Sequence, residues 1–163
     1  MLEVYHGSTV AVVSPLVLAG RPGLDFGRGF YFTDFKSQAE NWAKRSAARL
    51  GSEAVVSVYD YDKARAEKEF KCLFFPEYDK LWLDFIAGSR SGETPWKEYD
   101  VIEGGVADDR VIDTVEAYVS GMMSSERALE RLSMFQPNKQ ICILNQEVAE
   151  LCLFFKNAYT VKE

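Results

Sequence analysis

Side chains of two kinds alternate at the start of the chain. Leu2, Val4 and His6 fall on one side of residues 2–6, and Glu3 and Tyr5 fall on the other. This two-residue period predicts a β-strand that ends at Gly7-Ser8. Further strands are predicted where β-branched and aromatic residues cluster, and these segments are 30–33, 54–61, 99–104 and 140–144. Residues 10–13 begin a short helical or extended piece, and residues 15–23 form a loop that contains Pro22-Gly23.

Apolar residues at three- and four-residue spacing predict helices between these strands. The first has Ala39, Trp42 and Ala43 on its apolar face, and Ser37 with Glu40 matches a capping box. Residues 72–86 are predicted to form a strand end followed by a helix. Two later helices are predicted at 108–121, with Asp108 or Asp109 as its cap, and at 125–135. The charged segment 63–71 is expected to be solvated. Strands and helices mix without a regular βαβ period, which favours an α+β fold.

Composition narrows the class of protein. The 163 residues suit one domain, 1–163, and 47% hydrophobic residues exclude a disordered chain. A net charge of -6 argues against broad binding to nucleic acid. Three cysteines within apolar runs indicate buried side chains in a reducing compartment, and no ligand spacing predicts a metal site. No signal peptide and no run of about 20 apolar residues is found, so we expect a soluble cytoplasmic protein without a membrane partner.

Three segments carry the candidate chemistry: His6-Gly7-Ser8, residues 27–34 (Gly-Arg-Gly-Phe-Tyr-Phe-Thr-Asp), and the helix from Ser37 to Trp42. A dinucleotide fingerprint is only weakly matched, because its third glycine would fall where this chain has Phe32. A tight turn into a buried strand explains Gly27 and Gly29 without any ligand. A lone histidine at a strand end is usually structural. The order of the three segments is what points to a shared site.

This order resembles the ADP-ribosyltransferase superfamily, in the branch of diphtheria toxin and the poly(ADP-ribose) polymerases. The polymerases carry His-Gly-Ser, then Gly-Lys-Gly-Ile-Tyr-Phe-Ala-Asp, then Ser-Ala-Asn-Tyr on a helix. Trp42 stands where that last tyrosine would be. The chain looks closest to small, uncharacterised bacterial members, some of which are thought to be toxins of toxin–antitoxin pairs. The resemblance implies split mixed and antiparallel sheets with flanking helices and an NAD cleft between them.

The resemblance also implies roles for the residues. His6 would bind the adenosine ribose of NAD, and the Gly7 backbone would hold the nicotinamide amide, with a further contact from Ser8. Tyr31 and Trp42 would sandwich the nicotinamide ring, each contributing about 1 kcal/mol by stacking. Gly29 belongs to the same glycine segment. Arg21 is assigned to the pyrophosphate, with a solvated loop arginine as the alternative.

The third catalytic position departs from the family pattern. The polymerases have a glutamate at the start of a late strand, and here that place is Gln140. A neutral amide hydrogen-bonds the nicotinamide ribose but brings no charge to the transition state, a loss of about tenfold or more in rate. Glu147 would lie on the order of 20 Å away in an extended chain and does not replace it. Gln140 favours mono- over poly-ADP-ribosylation, because elongation needs a general base.

The leading hypothesis is an NAD-dependent mono-ADP-ribosyltransferase with His6, Tyr31 and Gln140 as its catalytic trio. The acidic charge favours a protein over a nucleic acid as acceptor, and an antitoxin protein is a further candidate partner. One alternative is an NAD glycohydrolase, with water as acceptor. Another is a non-catalytic module that binds a nucleotide or a partner, since Gln140 leaves an inactive variant open. The last is a structural α+β domain.

Overall fold

A computed structural model describes residues 1–21 and 24–162, so the predicted Pro22-Gly23 turn lies outside the described residues. The described residues form seven β-strands and six α-helices. The strands are β1 (Leu2–Ser8), β2 (Phe30–Phe32), β3 (Val55–Tyr61), β4 (Cys72–Phe74), β5 (Val101–Gly105), β6 (Lys139–Ile143) and β7 (Leu153–Thr160). The helices are α1 (Lys36–Leu50), α2 (Lys63–Glu69), α3 (Lys80–Arg90), α4 (Ile112–Val119), α5 (Ser125–Leu132) and α6 (Gln146–Cys152).

The strands form two sheets. The first has the order β1-β3-β7 and is antiparallel throughout. The second has the order β2-β6-β5-β4, in which β4 and β5 are parallel and the other pairs antiparallel. The predicted α+β fold with antiparallel and mixed sheets is therefore confirmed.

The two sheets meet where β1 passes the end of β2. Tyr5 and Thr33 exchange backbone hydrogen bonds of 2.8 and 2.9 Å at this point. The alternation predicted for β1 is confirmed here: Val4 packs in a core with Phe30, Phe32 and other side chains of both sheets, whereas Tyr5 faces the opposite side. The first strand of the chain is thus fixed to both sheets.

Helix α1 covers the outer face of β1 and β3. Ala39 and Ala43 are fully buried there against Val56 and Val58. Gly7 lies directly beneath this helix, where an added Cβ would overlap the carbonyl oxygen of Ala39 and come within 2.8 Å of the Ala43 nitrogen. The close approach of α1 to β1 therefore requires a glycine at position 7.

Helices α3, α4 and α5 cover the second sheet. Their buried side chains form one core with the outer face of that sheet, and Trp82 is the largest of them. The indole nitrogen of Trp82 donates a 3.0 Å hydrogen bond to the Gly105 carbonyl, so the polar atom of this buried ring is satisfied. Cys142 is buried in the same core. Cys152 is buried in the other core, which contains Val4 and Phe30, and Cys72 is half-buried.

The predicted start of α1 is wrong. The helix begins at Lys36, and Ser37 is an exposed residue inside its first turn. The Thr33 hydroxyl oxygen accepts a 3.1 Å hydrogen bond from the Phe35 N–H and donates a 3.0 Å bond to the Lys139 carbonyl. Because Thr33 orders the turn between β2 and α1, the helix begins before the capping box.

One other prediction about helices is corrected. Neither Asp108 nor Asp109 caps α4 with its side chain, because Val111 occupies the N-cap position. The charged segment 63–71 is mostly exposed, as expected, and it contains α2, whose first turn is capped by the Asp62 carboxylate. No helix of the described residues has both the length and the apolar character needed to cross a membrane.

Replacing Gly7 by alanine tests the packing of α1 on β1. The new methyl group forces α1 away from β1, and we expect the free energy of unfolding to fall by about 3 kcal/mol, at the upper end for overpacked sites. Gly51→Ala is the control, because no described residue lies within 4 Å of a Cβ there and only its positive φ of 65° opposes alanine. Urea denaturation measures both, and an equal loss in the two variants would contradict close packing at Gly7.

Candidate functional site

A cleft of about 670 Å³ opens where β1 and β2 separate beyond the Tyr5–Thr33 bonds. Its volume falls within the range of small-molecule sites in proteins. Every residue that the sequence analysis assigned to the site lines this cleft: His6, Gly7, Ser8, Arg21, Gly29, Tyr31, Trp42 and Gln140. The tertiary structure therefore brings together groups that lie more than a hundred positions apart in the chain.

The peptide groups of Gly7 form one edge of the cleft. Tyr5 directs its N–H and C=O toward β2, as its two bonds with Thr33 show. Because the peptide groups of a strand alternate between its two edges, Gly7 directs its own N–H and C=O the same way. Neither the N–H nor the C=O of Gly7 has a hydrogen-bond partner among the described residues. A free donor beside a free acceptor suits a carboxamide, which carries both.

His6 is held by β2 and is neutral. Its Nδ1 lies 2.6 Å from the Tyr31 carbonyl oxygen, and its ring packs on Phe30 with centroids 4.3 Å apart. A carbonyl only accepts, so Nδ1 carries the proton and Nε2 has a free lone pair. Burial lowers the pKa of His6, which keeps the ring neutral. The cleft thus contains a hydrogen-bond acceptor suited to a hydroxyl group.

Tyr31 joins His6 to the glycine turn. Its carbonyl accepts the His6 bond, while its hydroxyl donates to the Gly27 carbonyl at 2.6 Å and accepts from the Phe26 N–H at 3.1 Å. Burial, and secondarily Cys142, raise the pKa of Tyr31, so the phenol stays protonated. The hydroxyl is already bonded to the backbone, and the ring is the part of Tyr31 that remains for a ligand.

The packing around the turn explains why positions 27 and 29 are both glycine. Gly27 has a φ of 94°, and the Trp96 ring covers it so closely that a Cβ would lie 2.6 Å from a ring carbon. A Cβ on Gly29 would lie 2.5 Å from the Ile143 carbonyl oxygen. The explanation from a tight turn into a buried strand therefore holds for both positions, although Gly29 also lines the cleft.

The loop after β1 forms the wall opposite α1. The Val12 N–H donates to the Ser57 hydroxyl at 2.9 Å, and the Gln146 side chain bonds the backbone of Pro15 and Val17. The Ser8 hydroxyl donates to the Val10 carbonyl at 2.8 Å and accepts from its N–H, so a local turn already uses it. Arg21 follows on this loop and is exposed.

Helix α1 contributes an aromatic ring and two cations. Trp42 is half-buried, and Arg45 and Arg49 follow on the same face of the helix. Arg45 lies 3.3 Å from Asp109 and is mostly exposed. The sequence analysis missed both arginines, although their spacing of three and seven residues from Trp42 was a usable signal.

Two further charged residues line the cleft, and the sequence analysis gave neither of them a role. Asp25 and Arg90 form a 3.1 Å ion pair on its wall. No local pattern links them, since 65 positions separate them in the chain. Together with Arg21, Arg45 and Arg49, they make the lining cationic in a protein whose net charge is -6. The cleft therefore favours anionic ligands.

Gln140 lies at the start of β6 and is 5% exposed. It makes no side-chain hydrogen bond with a described residue, and it has no buried unpaired polar atom, so its amide opens into the cleft. The two-residue period of β6 places it on the same face as Cys142, which pairs with Tyr31. Glu147 is exposed in the first turn of α6 and lies outside the residues that line the cleft.

Comparison with known proteins assigns a family. A family model described as "Protein of unknown function (DUF3990)" matches residues 2–155. The chain belongs to this family. The match spans every strand and helix up to part of β7, so it includes the whole lining of the cleft. No curated protein and no solved structure matches the chain.

The lowered pKa of His6 makes stability depend on pH. Below the ordinary value of 6.5 the unfolded chain binds a proton at His6 before the folded protein does, so acidification favours unfolding. Between about pH 7.5 and pH 5.5 we expect the protein to lose more unfolding free energy than its His6→Gln variant loses. Urea denaturation at several pH values measures the difference, and parallel curves for the two proteins would contradict a buried neutral His6.

Proposed function

We propose that the protein is an NAD-dependent mono-ADP-ribosyltransferase, which breaks the nicotinamide–ribose bond and transfers ADP-ribose to a macromolecule. One observation carries the proposal: the free peptide edge of Gly7, the acceptor nitrogen of His6 and the amide of Gln140 meet in one cationic cleft. This agrees with the order of motifs that resembles the ADP-ribosyltransferases. NAD enters this account as a substrate.

The edge of Gly7 is the proposed site of the nicotinamide carboxamide. Its N–H and C=O supply the donor and the acceptor that a carboxamide needs, which fixes the ring in one orientation. The rings of Tyr31 and Trp42 are the aromatic surfaces of the cleft that would flank the nicotinamide. Because the Tyr31 hydroxyl is bound to the backbone, its ring position is already set before a ligand enters.

The ribose groups would bind to His6 and Gln140. A ribose hydroxyl can donate to Nε2 of His6, whose protonation is fixed by its bond to the Tyr31 carbonyl. The amide of Gln140 can hydrogen-bond the hydroxyls of the nicotinamide ribose as this sugar gains positive charge. A neutral amide stabilises that charge less than a carboxylate does. It is also a poor base, so Gln140 itself does not activate a further ribose hydroxyl for polymer elongation.

The arginines suit the pyrophosphate. Guanidinium groups bind phosphate oxygens through paired hydrogen bonds, and Arg21, Arg45 and Arg49 lie on the rim of the cleft. Arg49 is the sharpest test because, unlike Arg45, it has no ion pair with a described residue. The nearby Lys44 carries the same charge on the same helix but does not line the cleft.

Arg49→Gln and Lys44→Gln form a matched pair that tests this assignment. Each variant removes one exposed cation from α1, so both change the net charge equally. We expect Arg49→Gln to weaken NAD binding about tenfold and Lys44→Gln to change it less than about twofold. Isothermal titration calorimetry gives both dissociation constants. An equal effect of both variants would show that only overall charge matters.

The activity is tested with NAD labelled in its adenylate part, incubated with the protein in the presence and absence of cell lysate. We expect labelled macromolecules and free nicotinamide, both abolished in His6→Ala and retained in Lys44→Gln. Nicotinamide without labelled macromolecules would instead make the protein an NAD glycohydrolase. NAD binding without nicotinamide release would make it a non-catalytic module, and labelling that survives in His6→Ala would contradict the assigned site.

A further inference from the structure

The proposed transfer lacks a base at the expected place, because Gln140 is neutral and Glu147 lies outside the cleft. A transfer to a hydroxyl, a water or a neutral nitrogen nevertheless releases a proton, which a basic group must accept. Among the described residues that line the cleft, Asp25 is the only carboxylate. Its position therefore decides whether the cleft contains a base.

The Asp25 carboxylate is held by two partners and still has bonding capacity. Oδ1 accepts a 3.1 Å hydrogen bond from Nη2 of Arg90, and Oδ2 accepts a 3.3 Å bond from the Ala107 N–H. A carboxylate oxygen has two lone pairs, so each keeps one for a further donor. The side chain is 14% exposed, and the part of it that remains accessible lines the cleft.

Asp25 lies on the side of the cleft that holds Tyr31 and Gln140. The next residue, Phe26, donates its N–H to the Tyr31 hydroxyl. Ala107, which binds Asp25, is three residues beyond Gly104, the partner of Gln140 in the sheet. Because three residues of chain span at most about 11 Å, the backbone that holds Asp25 lies on the same side of the cleft as the strand pair that holds Gln140.

We propose that Asp25 is the general base of this cleft and takes the proton from the acceptor during transfer, an inference that rests on the proposed function. The bond between nicotinamide nitrogen and ribose C1′ breaks, and its electron pair leaves with neutral nicotinamide. An acceptor oxygen or nitrogen then bonds to C1′ and its proton passes to the Asp25 carboxylate. Solvent removes that proton after the product leaves.

The surroundings of Asp25 suit a base. Burial raises its pKa, whereas Arg90 and the Ala107 N–H act in the opposite direction, and burial has the larger effect. A carboxylate with a raised pKa takes a proton more readily than an ordinary surface aspartate does. Arg90 also fixes the side chain by its ion pair, so the carboxylate does not need to reorient before it reacts.

The test compares Asp25→Asn with Asp84→Asn, an aspartate of α3 that is ion-paired with Lys80 and does not line the cleft. At saturating NAD we expect Asp25→Asn to lower the transfer rate about 100-fold while its NAD dissociation constant stays within about threefold. Asp84→Asn should change neither quantity. In Asp25→Ala, added formate should restore part of the rate, because it supplies a free carboxylate that a merely structural aspartate would not need.

The outcomes separate this inference from the proposed function. Equal transfer rates in Asp25→Asn and in the unchanged chain would overturn the base and leave the function standing. A slow Asp25→Ala variant that formate does not rescue, or failure of both Asp25 variants to fold as seen by circular dichroism, would make Asp25 structural and also overturn the base. An unchanged chain that neither binds nor cleaves NAD would overturn both the base and the function.

Discussion

The pair of backbone hydrogen bonds between Tyr5 and Thr33 is the constraint on which the rest of the site depends. It fixes β1 to both sheets, and the two strands separate immediately beyond it. The cleft is therefore a consequence of sheet topology. Because β1 remains paired with β3 through Ser8, the edge of Gly7 that faces β2 stays ordered although no strand of the described residues pairs with it.

Several residues both stabilise the fold and line the cleft. Gly7 permits α1 to approach β1, and it also presents its peptide edge. Tyr31 holds the Gly27 turn with its hydroxyl and His6 with its carbonyl. Substitutions at these positions change stability and binding together, so exposed members of the lining such as Arg49 separate the two effects better.

Charge is distributed unevenly between the cleft and the rest of the protein. The lining gathers arginines from the loop after β1, from α1 and from α3, whereas the whole chain has a net charge of -6. Such local concentration focuses the field on a small anion, and the acidic exterior disfavours long polyanions. Asp25 is the exception in the lining, and its ion pair with Arg90 compensates its charge.

Local pattern alone determined most of the elements: the alternation in β1, the β-branched run of β3 and the apolar face of α1 are all present in the structure. The choice of His6, Tyr31 and Gln140 came from the resemblance to the ADP-ribosyltransferases and not from local pattern, and all three line the cleft. Local pattern failed at the start of α1, where Thr33 bonds across to Lys139 and moves the cap. Only the tertiary structure decided that Asp25 and Arg90 form an ion pair in the cleft that Gln140 also lines. Such contacts arise when elements that are distant in sequence pack together, and no local period encodes them.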